Sequence, residues 1–427
     1  MIASILRVST LLIGVALLLT GHGLQLALVP LSAQIQGWSS IQVGYLSSLY
    51  FVGFVLGCFT IPRLVSRIGH VRAFATLVAL LTAAILGLAL GNIFLFWLVL
   101  RVVTGVSIAG LYLVIESWLN EQVSSEVRGG VLATYTVIVL AGLAAGQLLL
   151  NAAPPGGDRL IIISAMLIVL AAIPVCVTRS AQPRQIPTAS FSPLLVLKTS
   201  RASCTGSFVS GMVSGSIYGL GPMYGLQRGL EVMDISFMMA LAITGGALAQ
   251  LPLGRYSDRI DRRLVILFCM ASGSLVAALA LITPSNWIPG IMMLFGASVM
   301  PIYALSLALA SDNVETGSFI EVGTGLLMTN GFGSIVGPLL ASQFMYRLGP
   351  EYFFVCHMFV LVCGAIAVFF MIRSKPAATK SASEFALATT AAAQGAIQMD
   401  PRAEDIELNP SESAFESTSK RTSKSTF

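Results

Sequence analysis

Gly254-Arg255-Tyr256-Ser257-Asp258-Arg259-Ile260-Asp261-Arg262-Arg263 separates two long apolar runs, and 192 residues earlier Pro62-Arg63-Leu64-Val65-Ser66-Arg67-Ile68-Gly69-His70 separates two others. Arg63 and Arg67 fall on Arg255 and Arg259 at this offset. Working outward, the same offset carries Gly14, Gly23, Pro30 and Gly53 onto Gly206, Gly215, Pro222 and Gly245. It then slips to 191, where Gly105, Tyr112, Glu121, Gly142 and Gly146 fall on Gly296, Tyr303, Asp312, Gly333 and Gly337. Glycine, proline and charged residues are costly to place in lipid, so their coincidence says more than matching leucines. A same-sense repeat of one apolar block is a way to build two halves around a site at mid-membrane. Passage of a solute across a membrane is the first functional expectation.

Composition agrees. The chain is 56% hydrophobic and only 10% charged, with a mean hydropathy of +0.86, too few charges to clothe a soluble domain. Measured against the roughly 20 apolar residues of a spanning helix, the sequence supplies about twelve runs. They lie near 8–31, 42–62, 72–91, 94–116, 129–152, 160–178, 202–225, 233–254, 264–283, 287–311, 320–346 and 351–372. The runs are too long for barrel strands and do not alternate. The predicted fold is an all-α membrane protein with 12 transmembrane helices in two pseudo-symmetric six-helix bundles. Residues 1–178 form the first bundle, 179–200 a cytoplasmic linker with Pro183, Pro187 and Pro193, and 201–375 the second bundle. The stretch 376–427, rich in Ala, Ser, Thr, Glu and Lys, reads as a disordered cytoplasmic tail, because it buries too little surface to offset ordering entropy.

The net charge of +5 matters less than its placement. With the N-terminus inside, Arg63, Arg67, Arg72, Arg128, Arg255, Arg259, Arg262, Arg263 and Arg373 face the cytoplasm, while only Arg159, Arg228 and Arg347 lie outside. The positive-inside rule therefore predicts both termini in the cytoplasm. These cations follow membrane-edge loops and gather on no groove-reading face, which argues against nucleic acid as a partner. Cys58, Cys176, Cys204, Cys269, Cys356 and Cys363 all sit in predicted spans without C-x-x-C spacing and read as small apolar residues. The first run exceeds a signal-peptide core and lacks a clear A-x-A exit, so it reads as a retained helix. The connections Gly91-Asn92-Ile93 and Pro284-Ser285-Asn286 leave no room for a large external domain.

The loop at residues 254–263 resembles the signature loop of the major facilitator superfamily, roughly G-x-x-x-D-R-x-G-R-R/K, at Gly254, Asp258, Arg259, Arg262 and Arg263. The first copy departs from it, with Ser66 in place of the Asp and Pro62 in place of the first Gly. The resemblance implies a tight cytoplasmic turn whose Asp faces the positive end of a neighbouring helix and holds that side closed, with Asp258 carrying more of the gate here. Plain inside-positive anchoring is the alternative, but it requires charge and not a recurring spacing. Arg101, Gly105 and Ala109 resemble the family's R-x-x-x-G-x-x-x-A motif, which implies an Arg101 that faces the cavity and helps proton transfer or substrate binding. A snorkelling Arg101 is the other reading. Gly105 and Ala109, on its face, permit close helix packing. Gly333-Ser334-Ile335-Val336-Gly337-Pro338 is similar to the G-x-x-x-G-P motif that the family's antiporters carry in the fifth helix. Here the fifth helix has Gly142 and Gly146 with Gln147 where the Pro would stand, so the motif sits on the symmetric partner, and export by antiport loses its support. Glu116-Ser117-Trp118-Leu119-Asn120 also resembles the YcaD-like branch of bacterial facilitators.

Polar side chains inside the runs are the candidates for a solute and proton pathway. Glu116 is the deepest acid of the first half, a proton carrier if buried and an interfacial carboxylate paired with a loop Arg if not. His22 and Gln25 share a helix face and read equally as a titratable site or as an interhelical clasp. Gln147 and Gln250 carry the same two readings, and Tyr112 and Tyr303, repeat partners, line opposite sides of one cavity or simply pack. No P-loop, G-x-S-x-G or H-E-x-x-H is present, which leaves ATP-driven and hydrolytic chemistry without support and predicts no enzyme, cofactor or metal. The expected protein is a monomeric secondary transporter of a small organic solute in a bacterial inner membrane, working by alternating access and driven by protons. A transport-inactive sensor or scaffold with the same fold is the rival.

Overall fold

A computed structural model describes residues 2–122, 125–177, 197, 199–313, 319–374, 385 and 388. Among them the chain forms helices and no strand. The first half comprises α1 (Ile2–Ile35), α2 (Ser40–Ile68), α3 (His70–Gly87), α4 (Phe94–Gln122), α5 (Ser125–Leu148), α6 (Arg159–Leu170) and α7 (Ala172–Val177). The second comprises α8 (Arg201–Gln227), α9 (Val232–Ser257), α10 (Arg262–Ile282), α11 (Ile288–Val299), α12 (Pro301–Ser311), α13 (Phe319–Leu348) and α14 (Tyr352–Ser374). α6 runs on into α7, and α11 into α12, as single spans. The second junction falls at Pro301, which has no amide to continue the ladder. Twelve crossings in two six-helix bundles result, as expected. α1, α2, α8, α9 and α13 run past their apolar runs at both ends, because their polar tips extend beyond a hydrocarbon core of about 30 Å. The expected linker and tail lie outside the described residues except for 197, 199, 200, 385 and 388.

Ten spans are long and apolar enough to cross a membrane on composition alone. α8 is not among them. It is rich in Ser and Gly, and it is buried over most of its length, from Ala202 to Gly225. A helix screened from lipid by its neighbours has no need of an apolar surface, and small residues let those neighbours come close.

The bundles are held by backbone contacts at glycines. A Cβ at Gly23 would strike the backbone of Leu143, and one at Gly146 the backbone of Thr20 and Leu24, so α1 and α5 touch main chain to main chain. Gly53 and Gly105 do the same for α2 and α4. The second bundle repeats both contacts, with Gly215 and Gly337 between α8 and α13, and Gly245 and Gly296 between α9 and α11. Each of these glycines is the repeat partner of one in the first half. Gly142 (on Leu19), Gly333 (on Phe208) and Ala109 (under Gly57) extend the seams, and the carbonyl of Pro338 lies against Gly44. The turns repeat as well. Gly37 and Gly229 have φ of 82° and 77°, and each closes its helix with the same pair of bonds: Gly37 and Trp38 amides to Gln34 and Ala33, Gly229 and Leu230 amides to Leu226 and Gly225.

Among the described residues, the hydrogen bonds between the bundles gather at one end and at mid-depth. Ser47 Oγ donates to Gly219 O (2.9 Å) and Ser48 Oγ to Ile335 O (2.7 Å). Asn151 Nδ2 donates to Ser236 Oγ (2.6 Å), and Gln227 Nε2 to Gln34 Oε1 (3.1 Å). This joined end carries the connections around Gly37, Gly229 and Gly349. The opposite end carries Gly69, the turn at 258–261 and the first residues of α5 and α13.

At that opposite end a buried ion-pair cluster ties the second bundle together. Arg262 Nε meets Asp312 Oδ2 at 2.7 Å, and Arg262 Nη1 meets Asp258 Oδ1 at 3.0 Å and Ser257 Oγ at 2.8 Å. Arg263 pairs with Asp261, the cap of α10, at 2.6 Å. In the first copy the corresponding positions are Ser66, His70 and Gly69, and Arg63 instead bonds the Phe59 carbonyl of its own helix. Arg67 and Arg259 are exposed.

Gly146→Ala must part α1 from α5. The expected loss is about 1–3 kcal/mol of stability, the usual penalty of overpacking, read as a lower melting temperature in detergent. Gly290→Ala, where nothing lies within 4 Å of the added carbon, should leave the melting temperature unchanged or slightly raised.

Candidate functional site

A Gly-His-Gly triplet sets the site. The missing side chains of Gly21 and Gly23 let α6 and α5 close on α1 from behind, where Ser164 Oγ donates to Gly21 O (2.8 Å) and Gln147 Nε2 to Gly23 O (2.9 Å). With both neighbours packed, His22 is turned inward. There it lines a cavity of about 590 Å³, open solvent included, with Tyr50, Phe51, Phe54, Tyr112 and Leu143 of the first bundle and Ser214, Tyr218, Leu327, Asn330 and Ser334 of the second. The walls are aromatic and aliphatic, and no carboxylate, Lys or Arg lines them.

His22 belongs to a chain of polar contacts. The Gln25 carbonyl oxygen only accepts, so His22 Nδ1 donates to Gln25 Oε1 (3.3 Å), and Nε2 is left to accept from Tyr50 OH (3.1 Å). Imidazole and phenol stack at 5.7 Å between centroids. The Arg101 guanidinium lies over the other partner of this stack, 4.6 Å from the Tyr50 ring centroid, and Nε donates to Leu46 O at 3.3 Å. Arg101 is 4% exposed and its Nη1 has no hydrogen-bond partner among the described residues. It does not snorkel, because its head is turned into the bundle toward Tyr50. Nor does it touch the cavity directly. It stands one side chain behind the wall.

Glu116 is fully buried and accepts from Tyr135 OH at 3.0 Å, across α4 and α5. Burial is the condition under which the sequence made Glu116 a proton-carrier candidate rather than an interfacial carboxylate. Fifteen residues separate it from Arg101 on α4, about 22 Å at 1.5 Å per residue, so the two groups occupy opposite halves of that helix. Tyr112 lines the cavity, and its hydroxyl, buried, has no partner among the described residues. Its repeat partner Tyr303 is buried in the second bundle, outside the lining; the second-bundle phenol at the cavity is Tyr218. Gln147 is the α1–α5 clasp described above, away from the cavity. Gln250 lies near the far end of α9, where its Nε2 donates to Ala388 O.

Tyr50, Tyr135, Tyr218, Asn330 and Ser334 were not singled out in the sequence. Asn330 Nδ2 donates to Ser207 O (3.0 Å), and Ser334 Oγ to Gly211 O (3.2 Å), at the α8–α13 seam. A buried amide in a long apolar run was the available signal for Asn330. The tyrosines offered none, since an aromatic in a spanning helix is ordinary packing. Cys58, Cys204, Cys269, Cys356 and Cys363 are unpaired, and among the described residues no three His, Cys, Asp or Glu converge to hold a metal.

Comparison with known proteins agrees with the geometry. The Major Facilitator Superfamily profile matches residues 11–324 and again 204–408. The uncharacterized MFS-type transporter YcaD of Escherichia fergusonii is 31% identical over 353 residues, covering 82% of this chain and 91% of that protein. YcaD of Salmonella newport is 31% identical over 358 residues. These matches bear out the resemblance read in residues 116–120. Among solved structures, the nucleoside transporter NupG superposes with a TM-score of 0.72 at 14% identity, over 86% of this chain and 100% of that one. A bacterial homolog of the human lysosomal transporter Spinster, in an inward-facing and occupied conformation, superposes with a TM-score of 0.69 at 17% identity, over 86% of this chain and 99% of that one. At such identities the likeness is one of fold. Profile coverage of both repeats, with relatives that match four-fifths of the sequence, establishes that this chain belongs to the Major Facilitator Superfamily of membrane transporters.

Proposed function

We propose that the chain is a proton-coupled secondary transporter of a small, uncharged or amphipathic organic solute, which rocks its two bundles about the cavity between His22 and Asn330. The observation that carries this reading is the shared lining: both bundles contribute walls to one cavity, whose surface is aromatic with a few hydrogen-bonding groups and no fixed charge. Such walls suit a solute with an apolar body and one or two polar substituents, and they disfavour a polyanion.

We read the end bearing Gly69 and the 258–261 turn, with its excess of Arg, as the cytoplasmic one; the bonds between the bundles at the other end then support an inward-open state. On that reading 1–178 and 201–375 are the moving units, the membrane is a bacterial inner membrane, and both termini are cytoplasmic. Glu116 lies on the cytoplasmic side of α4 and serves as the proton carrier, with Tyr135 as its hydrogen-bond partner. His22 couples the solute to the proton. A second proton, on Nε2, would force the Tyr50 hydroxyl to rotate and become an acceptor, and would set a second cation beside the Tyr50 ring that Arg101 covers, a repulsion that favours a rearranged cavity wall.

Glu116→Gln keeps the shape and removes the exchangeable proton. In proteoliposomes, solute counterflow should continue while accumulation driven by an imposed pH gradient is lost. Accumulation at the wild-type level would reject Glu116 as the carrier. Tyr112→Phe should leave the fold intact, since the hydroxyl has no protein partner, and weaken solute binding by about five- to tenfold, the worth of one hydrogen bond. Unchanged affinity would remove Tyr112 from the site.

A further inference from the structure

The segment after α14, expected to lie free of the helices, meets them at both of its described residues. The Phe385 ring fills the space beside Gly254 so closely that a Cβ there would overlap it. The Phe385 amide donates to Asp258 Oδ2 at 3.3 Å, and the Ala388 carbonyl accepts from Gln250 Nε2. Both residues pack against the apolar core. Gln250, Gly254 and Asp258 are spaced by four, so they form one stripe at the end of α9. The chain length permits the contact, since eleven residue steps from Ser374 reach at most about 40 Å.

The stripe has a position that gives this contact meaning. At 3.6 residues per turn, Gly254 lies five full turns beyond Ser236 on the same face of α9. Ser236 is where α9 touches the first bundle at the joined end, through Asn151. The face of α9 that meets the first bundle at one end is therefore covered, at the other end, by Phe385 and Ala388. Closing the cavity at that end would bring the first bundle onto this face. Asp258, the acid of the signature turn, is at the same time occupied by the Phe385 amide and by Arg262.

We propose that Phe385 and Ala388 form an intramolecular latch, which docks on the Gln250–Gly254–Asp258 stripe of α9 and holds the cytoplasmic end open. Gly254 forms the seat because only a residue without a side chain leaves room for the ring. The latch slows the return to the outward-open state, and anything that draws the segment away releases it. The inference rests on the alternating-access reading above.

The test reads distance and needs no solute. Spin labels at Arg67→Cys and Arg259→Cys, exposed residues of the first and second bundle at the cytoplasmic end, are introduced into the full-length chain with its native cysteines replaced. Pulsed electron resonance should report a long, open distance as the major population and a short, closed one as the minor. Phe385→Ala, and independently Gly254→Ala with the tail untouched, should each raise the closed-to-open ratio by about tenfold. Phe385→Leu should keep most of the latch. Two populations whose ratio is the same in all variants would overturn the latch alone. A single fixed distance in every variant would overturn the rocking motion, and the latch with it.

Discussion

Four glycine pairs, at which one helix backbone rests directly on another, are the constraint on which the rest of the structure depends. Lipid supplies no hydrophobic push between helices, so close main-chain approach and the dispersion contacts it allows must hold each bundle. Gly23 with Gly146 and Gly53 with Gly105 do this in the first half, Gly215 with Gly337 and Gly245 with Gly296 in the second. The repeat conserves the seams within each bundle, while the residues that face the cavity differ between the halves. Rigid bundles with a softer interface between them are what a rocking motion requires.

The glycine seams also create the site. Because α5 and α6 close on the back of α1, His22 has one direction left, toward the cavity. Because Gly53 brings α2 against α4, Tyr50 lies within reach of both His22 and Arg101. The polar groups of the first bundle thereby form a continuous line, Arg101–Tyr50–His22–Gln25, with the Glu116–Tyr135 pair apart from it. The second bundle offers only neutral groups to the cavity, Ser214, Tyr218, Asn330 and Ser334. The bundles share an architecture and, on the proposed reading, divide the work: one would hold the proton chemistry, the other complete the solute's surroundings.

Much of this was legible in the sequence, for identifiable reasons. The crossings followed from run length, and the duplication from glycines whose spacing reflects a contact. His22, Arg101 and Glu116 stood out because a polar group in an apolar run demands an explanation. Tyr50 and Tyr135, which give those three their setting, did not, since tyrosine is at home in a spanning helix. The Arg262–Asp312 pair joins residues 50 apart in sequence, a distance at which charge pattern carries no pairing information. Phe385 lies in a stretch whose composition predicts disorder. Composition averages over residues, whereas its contact with α9 depends on one ring and one missing side chain. α8 reads weakly apolar, since a central helix is designed for its neighbours and not for lipid.

The central claim, that one cavity between the bundles opens in turn to each side of the membrane, has a direct test. Ser214→Cys, in a chain without its native cysteines, places a thiol on the cavity wall. A membrane-impermeant maleimide should reach it from either face of oriented vesicles. Bridging Asn151→Cys to Ser236→Cys, which ties the joined end, should then restrict labelling to the cytoplasmic face. Labelling from a single face before the bridge is made would contradict the account.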